Sequence, residues 1–260
     1  MAEIFNLFLM SKSRLIVLLS LLAVIFASWF YLFYQHWQMT SLPMSEMWIP
    51  PSVTSAWQFM DFGLVYVMWA VMMAAMMLPS AIPMILVYAT ICKQRQLTSH
   101  VRIFLFVLAY LLVWLVFSVF LTLLQWQMHG FNFLTPMMDN QSQYMAGTIF
   151  LLAGAYQFTP LKEMFLQHCR SPMGFLLTEW RDGSSGAYYM GLKHGGMCLG
   201  CCWLQMLIMF AVGVMNLVAM VLITLLVLIE KLAPVQNQWI GRLVGLLFIG
   251  WGVWLFQTAG

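Results

Sequence analysis

Charged side chains are scarce in this sequence, and their scarcity excludes most classes of protein. Only 7% of the 260 residues are Asp, Glu, Lys or Arg, whereas 63% are apolar. A soluble domain is roughly 25% charged, because charged side chains cover its surface. The net charge of +3 comes from basic residues scattered along the chain, so no nucleic-acid-binding patch is expected. The lipid bilayer is the expected solvent of this chain.

The apolar residues form runs that are long enough, as helices, to cross a hydrocarbon core of about 30 Å. A lipid-exposed segment must satisfy its own backbone hydrogen bonds, so each run is predicted to be a helix. The sequence predicts an all-α integral membrane protein, a bundle of about seven transmembrane helices forming a single polytopic domain over residues 1–260. The predicted spans are about 14–34, 62–91, 101–125, 142–159, 193–212, 215–230 and 240–257, with a loop at about 160–192.

The fifth and sixth spans are separated on length alone. No charged residue occurs from Gly195 to Ile229, and these 35 residues would form a helix of about 52 Å. That length is too great for one span at ordinary tilt. Gly213 and Asn216 offer the only plausible turn, so the chain is predicted to reverse there.

Seven spans place every basic residue on one side of the membrane. The predicted external loops, about 35–61 and 126–141, hold Glu46, Asp61 and Asp139 but no Lys or Arg. Cytoplasmic loops are the ones enriched in Lys and Arg, so the N-terminus is predicted to be cytoplasmic and the C-terminus external or periplasmic. The basic residues are Lys12, Arg14, Lys93, Arg95, Arg102, Lys162, Arg170, Arg181, Lys193, Lys231 and Arg242.

Thiols and an imidazole are concentrated at the predicted cytoplasmic end of the fifth span. His194, Cys198, Cys201 and Cys202 fall on one face of a helix. An ideal helix separates His194 from Cys201 by about 10.5 Å, too far for one metal ion, although neighbouring pairs could share one. Gly195, Gly196 and Gly200 would loosen the helix and bring more of the ligands together. The alternative is that the cysteines only pack and that His194 is an interfacial polar group.

His168 and Cys169, in the loop after the fourth span, are predicted to lie on the same side of the membrane. They could complete a shell of four ligands around a metal ion. Thiolates with imidazole suit Cu(I) or Zn(II), and a reducing cytosol disfavours a structural disulfide. The sequence therefore predicts a metal site, with Cu(I) favoured and Zn(II) as the alternative.

Methionine is abundant, with 24 residues and a dense block in the second span. Met68, Met72 and Met76 fall on one helical face, and thioethers favour Cu(I). The alternative is that this stripe is packing, because Met fills irregular gaps in apolar cores. Pro79 and Pro83 are predicted to bend or open the same helix. Further soft ligands lie in predicted external segments: His36, Met39, Met44, Met47, Met60, Met128, His129, Met137 and Met138.

Several motifs resemble a bacterial family of predicted metal-binding integral membrane proteins, a domain of unknown function numbered 2182. The similarity covers about Met68 to Lys231. It implies a multi-pass protein of the bacterial inner (cytoplasmic) membrane, and it favours a metal role for His168, Cys169, His194 and the later cysteines. The motifs are MMAAMMLP (72–79), YQFTPLK (156–162), HCRSP (168–172), GLKHG (191–195), CLGCCW (198–203) and GVMN (213–216).

Three functions remain open from the sequence. The first is copper handling, transport or delivery, with the lipid bilayer, the metal ion and a metallochaperone or membrane enzyme subunit as partners. The second is a membrane thiol oxidoreductase that exchanges electrons between Cys198, Cys201 and Cys202 and a quinone or partner thiol. The third is a structural or assembly subunit. No phosphate loop, catalytic triad or dinucleotide fingerprint is present, so only the thiols support an enzymatic function.

Overall fold

The computed structural model describes residues 12–41, 43, 48–51, 54–95, 100–234 and 239–259, with side chains from residue 15 onward. Glu46, Met44, Met47 and the side chains of Lys12 and Arg14 lie outside the described residues. Within these ranges the protein is helical, as the sequence predicts. The helices are α1 (Lys12–Ser41), α2 (Phe59–Gln94), α3 (His100–Gly130), α4 (Gln143–Gln157), α5 (Pro160–Arg170), α6 (Pro172–Thr178), α7 (Gly183–Val212), α8 (Leu217–Leu232) and α9 (Trp239–Thr258).

Each predicted span coincides with one of these helices. Five of the described helices, α1, α2, α3, α7 and α9, are long and apolar enough to cross a membrane. The other two that match predicted spans, α4 and α8, contain 15 and 16 residues. A membrane-embedded helical bundle is thereby supported, since the apolar runs of the sequence become helices of membrane-spanning length.

Helix α7 begins at Gly183, well before the predicted span start at about 193. Residues 183–192 are rich in glycine and polar groups and lack the hydropathy of a span, so hydropathy alone does not reveal that the helix starts there. The predicted loop at 160–192 is also largely helical, since it contains α5, α6 and the first turns of α7. As a result, Cys198 lies in the middle of a long helix rather than near its first residue.

The turn predicted between the fifth and sixth spans is present. Helix α7 ends at Val212 and α8 begins at Leu217. Gly213 has a φ of +98°, a left-handed conformation that side chains with a Cβ rarely adopt. The side chain of Asn216 accepts a hydrogen bond from the backbone N–H of Ala219 at 3.1 Å and so caps α8.

Pro79 and Pro83 lie inside α2 without ending it. A proline has no N–H, so Pro79 leaves the carbonyl of Ala75, four residues earlier, without its helical donor. The indole N–H of Trp29 on α1 donates to that carbonyl at 3.2 Å. A side chain from a neighbouring helix thus satisfies the backbone group that the proline frees.

Glycines bring α7 close to its neighbours instead of loosening it, contrary to the sequence-based expectation. A Cβ at Gly191 would lie 2.3 Å from the carbonyl oxygen of Phe106 on α3, and one at Gly195 would lie 2.8 Å from the side chain of Val113. Small residues at these positions let the two backbones approach. Helix α7 remains continuous through the cysteine-rich segment.

Candidate metal centre

Three buried thiols of α7 lie within one helical turn, and two of them point at the carbonyl of Cys198. The thiols of Cys201 and Cys202 donate to that carbonyl oxygen, with sulfur–oxygen distances of 3.1 and 2.9 Å. All three side chains are buried, with at most 2% of each residue exposed. The i, i+3 and i, i+4 spacing that predicted a shared face therefore holds in the folded helix.

A fourth thiol comes from α5. The thiol of Cys169 faces those of Cys198 and Cys201 closely enough to interact with both. Helix α5 presents it because Thr159 caps the first turn, accepting from the N–H of Lys162 at 3.3 Å, and the chain then packs α5 against α7. The four residues Cys169, Cys198, Cys201 and Cys202 are called the thiol cluster below. All are free thiols, and so is Cys92, which lies apart on α2.

A thioether from α2 also reaches the thiol cluster. The sulfur of Met77 lies 3.9 Å from the sulfur of Cys202. Met68, Met72 and Met76 are buried in the core, with at most 2% exposure. At 100° per residue, Met68 and Met72 lie on the face of α2 opposite to Met77 and Met76 lies about 100° from it. Among the described residues, Met77 is the methionine of α2 with a sulfur contact to the thiol cluster.

The two predicted histidines occupy different positions. His194 is buried one turn before Cys198, and its ring stacks on Tyr110 with 5.5 Å between centroids. Its Nδ1 has no hydrogen-bond partner among the described residues. His168 is partly exposed, and its Nδ1 lies 2.8 Å from the carbonyl of Met164 on its own helix. Cys169 therefore points toward α7 while the adjacent histidine does not join the thiols.

Two polar groups at the centre were not predicted from the sequence. The ammonium of Lys231, at the end of α8, lies 2.8 Å from the sulfur of Cys198 and donates to the hydroxyl of Ser80 at 3.0 Å. The hydroxyl of Tyr110 lies 3.2 Å from the same sulfur and donates to the carbonyl of Met77 at 3.1 Å. The one proton of the Tyr110 hydroxyl goes to Met77, so toward the sulfur this hydroxyl can only accept, and Lys231 is the group that can stabilise a thiolate.

A second polar layer lies beside the thiol cluster. Lys162 and Glu230 form a buried ion pair at 2.8 Å. Gln205, which shares the thiol-bearing face of α7, donates to the same carboxylate at 3.1 Å. Arg170 donates to the carbonyl of Glu230 at 2.8 Å. These contacts fix α5, α7 and α8 together, because charges buried in a low dielectric are costly unless paired.

Tyr156 fastens α4 to the same region. Its hydroxyl donates to the carbonyl of Gly200 at 2.6 Å, in the α7 segment that carries the cysteines. The sequence-based interpretation of Tyr156 as a helix-to-helix hydrogen-bond donor agrees with this contact.

The sulfurs converge without already enclosing a common point. Within the described ranges, no three His, Cys, Asp or Glu side chains are arranged to hold a metal ion. The thiols of Cys201 and Cys202 point at a backbone carbonyl instead. Rotation of their side chains between staggered conformers would redirect the sulfurs without moving the helices.

The fold and this centre define a class of protein: a helical membrane protein with a buried group of reduced cysteines beside a lysine. A family model described as PpoB2, copper chaperone, matches residues 66–255, which include every helix from the greater part of α2 to most of α9. The chain belongs to this copper chaperone family. The match supports the copper-related part of the resemblance seen in the sequence. Comparison with curated proteins and with solved structures gives no match.

Proposed function

We propose that this protein is a membrane-embedded copper(I) chaperone that holds its cargo at the thiol cluster and passes it to a metallochaperone or a membrane enzyme subunit. The observation that carries the proposal is that Cys169 of α5 faces Cys198 and Cys201 of α7, in a chain that belongs to a copper chaperone family. Soft thiolates favour copper(I), and two of them suffice for a low-coordinate ion. Four thiols would also suit tetrahedral zinc, so the family match is what favours copper.

Three features give the cluster the chemistry of a cargo site. Met77 adds a thioether, a weaker soft ligand that can be exchanged. Lys231 supplies one positive charge against the negative charge of a copper ion bound by two thiolates. His194, buried and with a free Nδ1, stands one turn away as a further nitrogen ligand. His168 lies at the exposed approach to Cys169, where an ion could enter or leave.

We also propose the topology in which this site works. Helices α4 and α8 would cover about 22 and 24 Å and complete a seven-span bundle with the five longer helices. The N-terminus would then be cytoplasmic and the C-terminus external, in the inner membrane of a bacterium, with Lys and Arg on the cytoplasmic side. Cys198 lies about 7.5 Å of helix rise beyond Lys193, so the thiol cluster would face the reducing cytosol. Reporter fusions would test this topology, with Thr135 expected on the external side and residue 180 on the cytoplasmic side.

The first experiment is elemental analysis of the full chain in detergent, loaded anaerobically with copper(I). We expect about one tightly bound copper per chain, lost when Cys198, Cys201 and Cys202 are changed to Ser. Cys92→Ser is the matched control, because Cys92 is also a buried thiol but lies outside the cluster. Equal tight copper in wild type and triple variant would contradict the proposal. Delivery itself is tested by cuproenzyme activity in a deletion strain, restored by the wild-type gene and not by the triple variant.

A thiol oxidoreductase is the second candidate, and the contact between Lys231 and Cys198 favours it. An ammonium beside a sulfur stabilises the thiolate, which is the nucleophile in disulfide exchange. This function predicts a mixed disulfide between Cys198 and a partner thiol that accumulates when Cys201 and Cys202 are changed to Ser. Copper(I) bound with high affinity and no such trapped species would favour the chaperone.

A further inference from the structure

A second group of soft ligands lines a cavity at the other end of the bundle. The cavity has a volume of about 290 Å³ and is lined by His36, Met39, Met137, Met215 and the carboxylate of Asp139, among others. The three thioethers and the imidazole come from α1, from the segment after α3 and from the α7–α8 turn. From Cys198 to the end of α7 is about 21 Å of helix rise, so this cavity is separate from the thiol cluster.

His36 and Met39 are neighbours because of their spacing on α1. Residues three apart lie on the same face of a helix, with their side chains side by side. Both are partly buried at this end of α1, and Met215 is 6% exposed. The cavity is open on its other side, where Asp139 and Val218 are exposed, so an ion from solvent can reach these side chains.

The two other segments are held together before any ligand binds. The N–H of Val214 donates to the carbonyl of Met138 at 3.1 Å, which joins the α7–α8 turn to the segment after α3. Gly213 lies so close to this segment that a Cβ on it would be 2.9 Å from a carboxylate oxygen of Asp139. The methionines that flank these contacts are consequently fixed relative to one another by backbone interactions.

The ligand set selects the ion. Thioether sulfur is a soft ligand that binds copper(I) and binds zinc, magnesium or calcium poorly. An imidazole binds copper in either oxidation state. Thioethers also cannot pair into disulfides, so they suit the external side of the membrane, where thiols would be oxidised. Asp139 is exposed and adds a negative charge at the cavity that favours the approach of a cation.

We propose that His36, Met39, Met137 and Met215 form a second copper(I) site, of thioether and imidazole type, at the external end of the protein. The inference rests on the proposed copper function and adds an outer site to the thiol cluster. Its ligands are neutral and include no thiolate, so it binds copper(I) at least about tenfold more weakly than the thiol cluster. Weak binding suits a site where an ion is taken up or released rather than stored.

The test is an anaerobic copper(I) titration of the full chain in detergent against a chromogenic chelator. We expect two copper ions per wild-type chain, one tight and one weaker. The Met39→Leu, Met137→Leu and Met215→Leu triple variant keeps its volume and should fold, and it should lose only the weaker ion. Met60→Leu is the matched control, since Met60 is an exposed thioether that does not line the cavity, and it should keep both ions.

X-ray absorption at the copper edge identifies the ligands independently. In the Cys198→Ser, Cys201→Ser, Cys202→Ser variant, the remaining copper should show thioether sulfur with one nitrogen scatterer, and His36→Leu should remove the nitrogen. Unchanged titration of the methionine variant would overturn the inference and leave the thiol cluster intact. Loss of the weaker ion in the cysteine variant would overturn it as well, by placing both ions at the thiols. If the methionine variant bound no copper while the cysteine variant kept both ions, the thiol-cluster proposal would be refuted and the outer site would be upheld.

Discussion

The ammonium of Lys231 lies 2.8 Å from the sulfur of Cys198, although the two residues belong to different helices. Lys231 is 6% exposed, and Cys198 is 1% exposed. A lysine is rarely buried this deeply unless an anionic or strongly polar group accompanies it. The contact therefore makes Lys231 the counter-charge of the thiol cluster.

Replacing Lys231 by Met should weaken copper(I) binding at the thiol cluster by at least about tenfold, or about 1.4 kcal/mol. The reason is that copper(I) bound by two thiolates carries a net negative charge, which the apolar side chain cannot balance. Competition against a chromogenic copper(I) chelator measures the effect. Lys193→Met is the control, because Lys193 pairs with Glu179 at 2.6 Å on the partly exposed surface and should leave the affinity unchanged. If the Lys231→Met and Lys193→Met variants bound copper(I) with equal affinity, Lys231 would not act on the bound ion.

The ion pair between Lys162 and Glu230 should matter for stability. Both side chains are almost fully buried, so Glu230→Gln leaves an ammonium without its carboxylate and should cost about 3–5 kcal/mol. Thermal unfolding in detergent measures the loss. Glu179→Gln breaks a partly exposed pair and should cost at most about 1 kcal/mol. A similar effect of the two substitutions would mean that the Lys162–Glu230 pair is not shielded from solvent.

The sequence predicts where the helices lie along the chain, but it does not predict which face of each helix packs against its neighbours. Long apolar runs identify the helices because length and hydropathy are local properties, and the charge-free stretch to Ile229 forces a turn at Gly213. Helix α2 is apolar on almost every side, so nothing in its pattern indicates which face meets α7. The stripe of Met68 and Met72 was the regular feature, yet Met77 is the methionine at the thiols.

The direction of the Lys231 side chain is likewise not predictable from the sequence. A lysine near the end of a span is ordinarily interfacial, with its ammonium in water, and the basic-residue pattern treats it so. Only the packing of α8 against α2 and α7 turns it inward to Cys198 and Ser80. For Cys169, by contrast, the sequence does predict that it lies on the same side of the membrane as the α7 cysteines, because its loop and the start of that span share one side in the predicted topology.

Two glycines of α7 should respond in opposite ways to alanine. In Gly191→Ala the new Cβ would lie 2.3 Å from a backbone oxygen of α3, so the helices must separate, at a cost of about 1–3 kcal/mol. At Gly196 nothing lies within 4 Å of the position of a Cβ, so alanine should be neutral or stabilise α7 by up to about 1 kcal/mol. Melting temperatures in detergent compare the two. If Gly196→Ala were the more destabilising, the close approach of α3 and α7 would not be the role of Gly191.

Copper(I) should protect Cys169 from oxidation. In the copper-free protein, Cys169 faces Cys198 and Cys201, so the oxidant diamide should join it to one of them, removing two protons and two electrons from the pair of thiols. Copper bound to the same sulfurs blocks this reaction, because a coordinated thiolate is not available for attack. Mass spectrometry of peptides from oxidised samples, with and without one equivalent of copper, measures the cross-link between α5 and α7. Cys92 is the internal control, since its modification should not depend on copper. Equal cross-linking in both samples would mean that copper binds elsewhere, because two thiols engaged with the ion cannot at the same time form a disulfide.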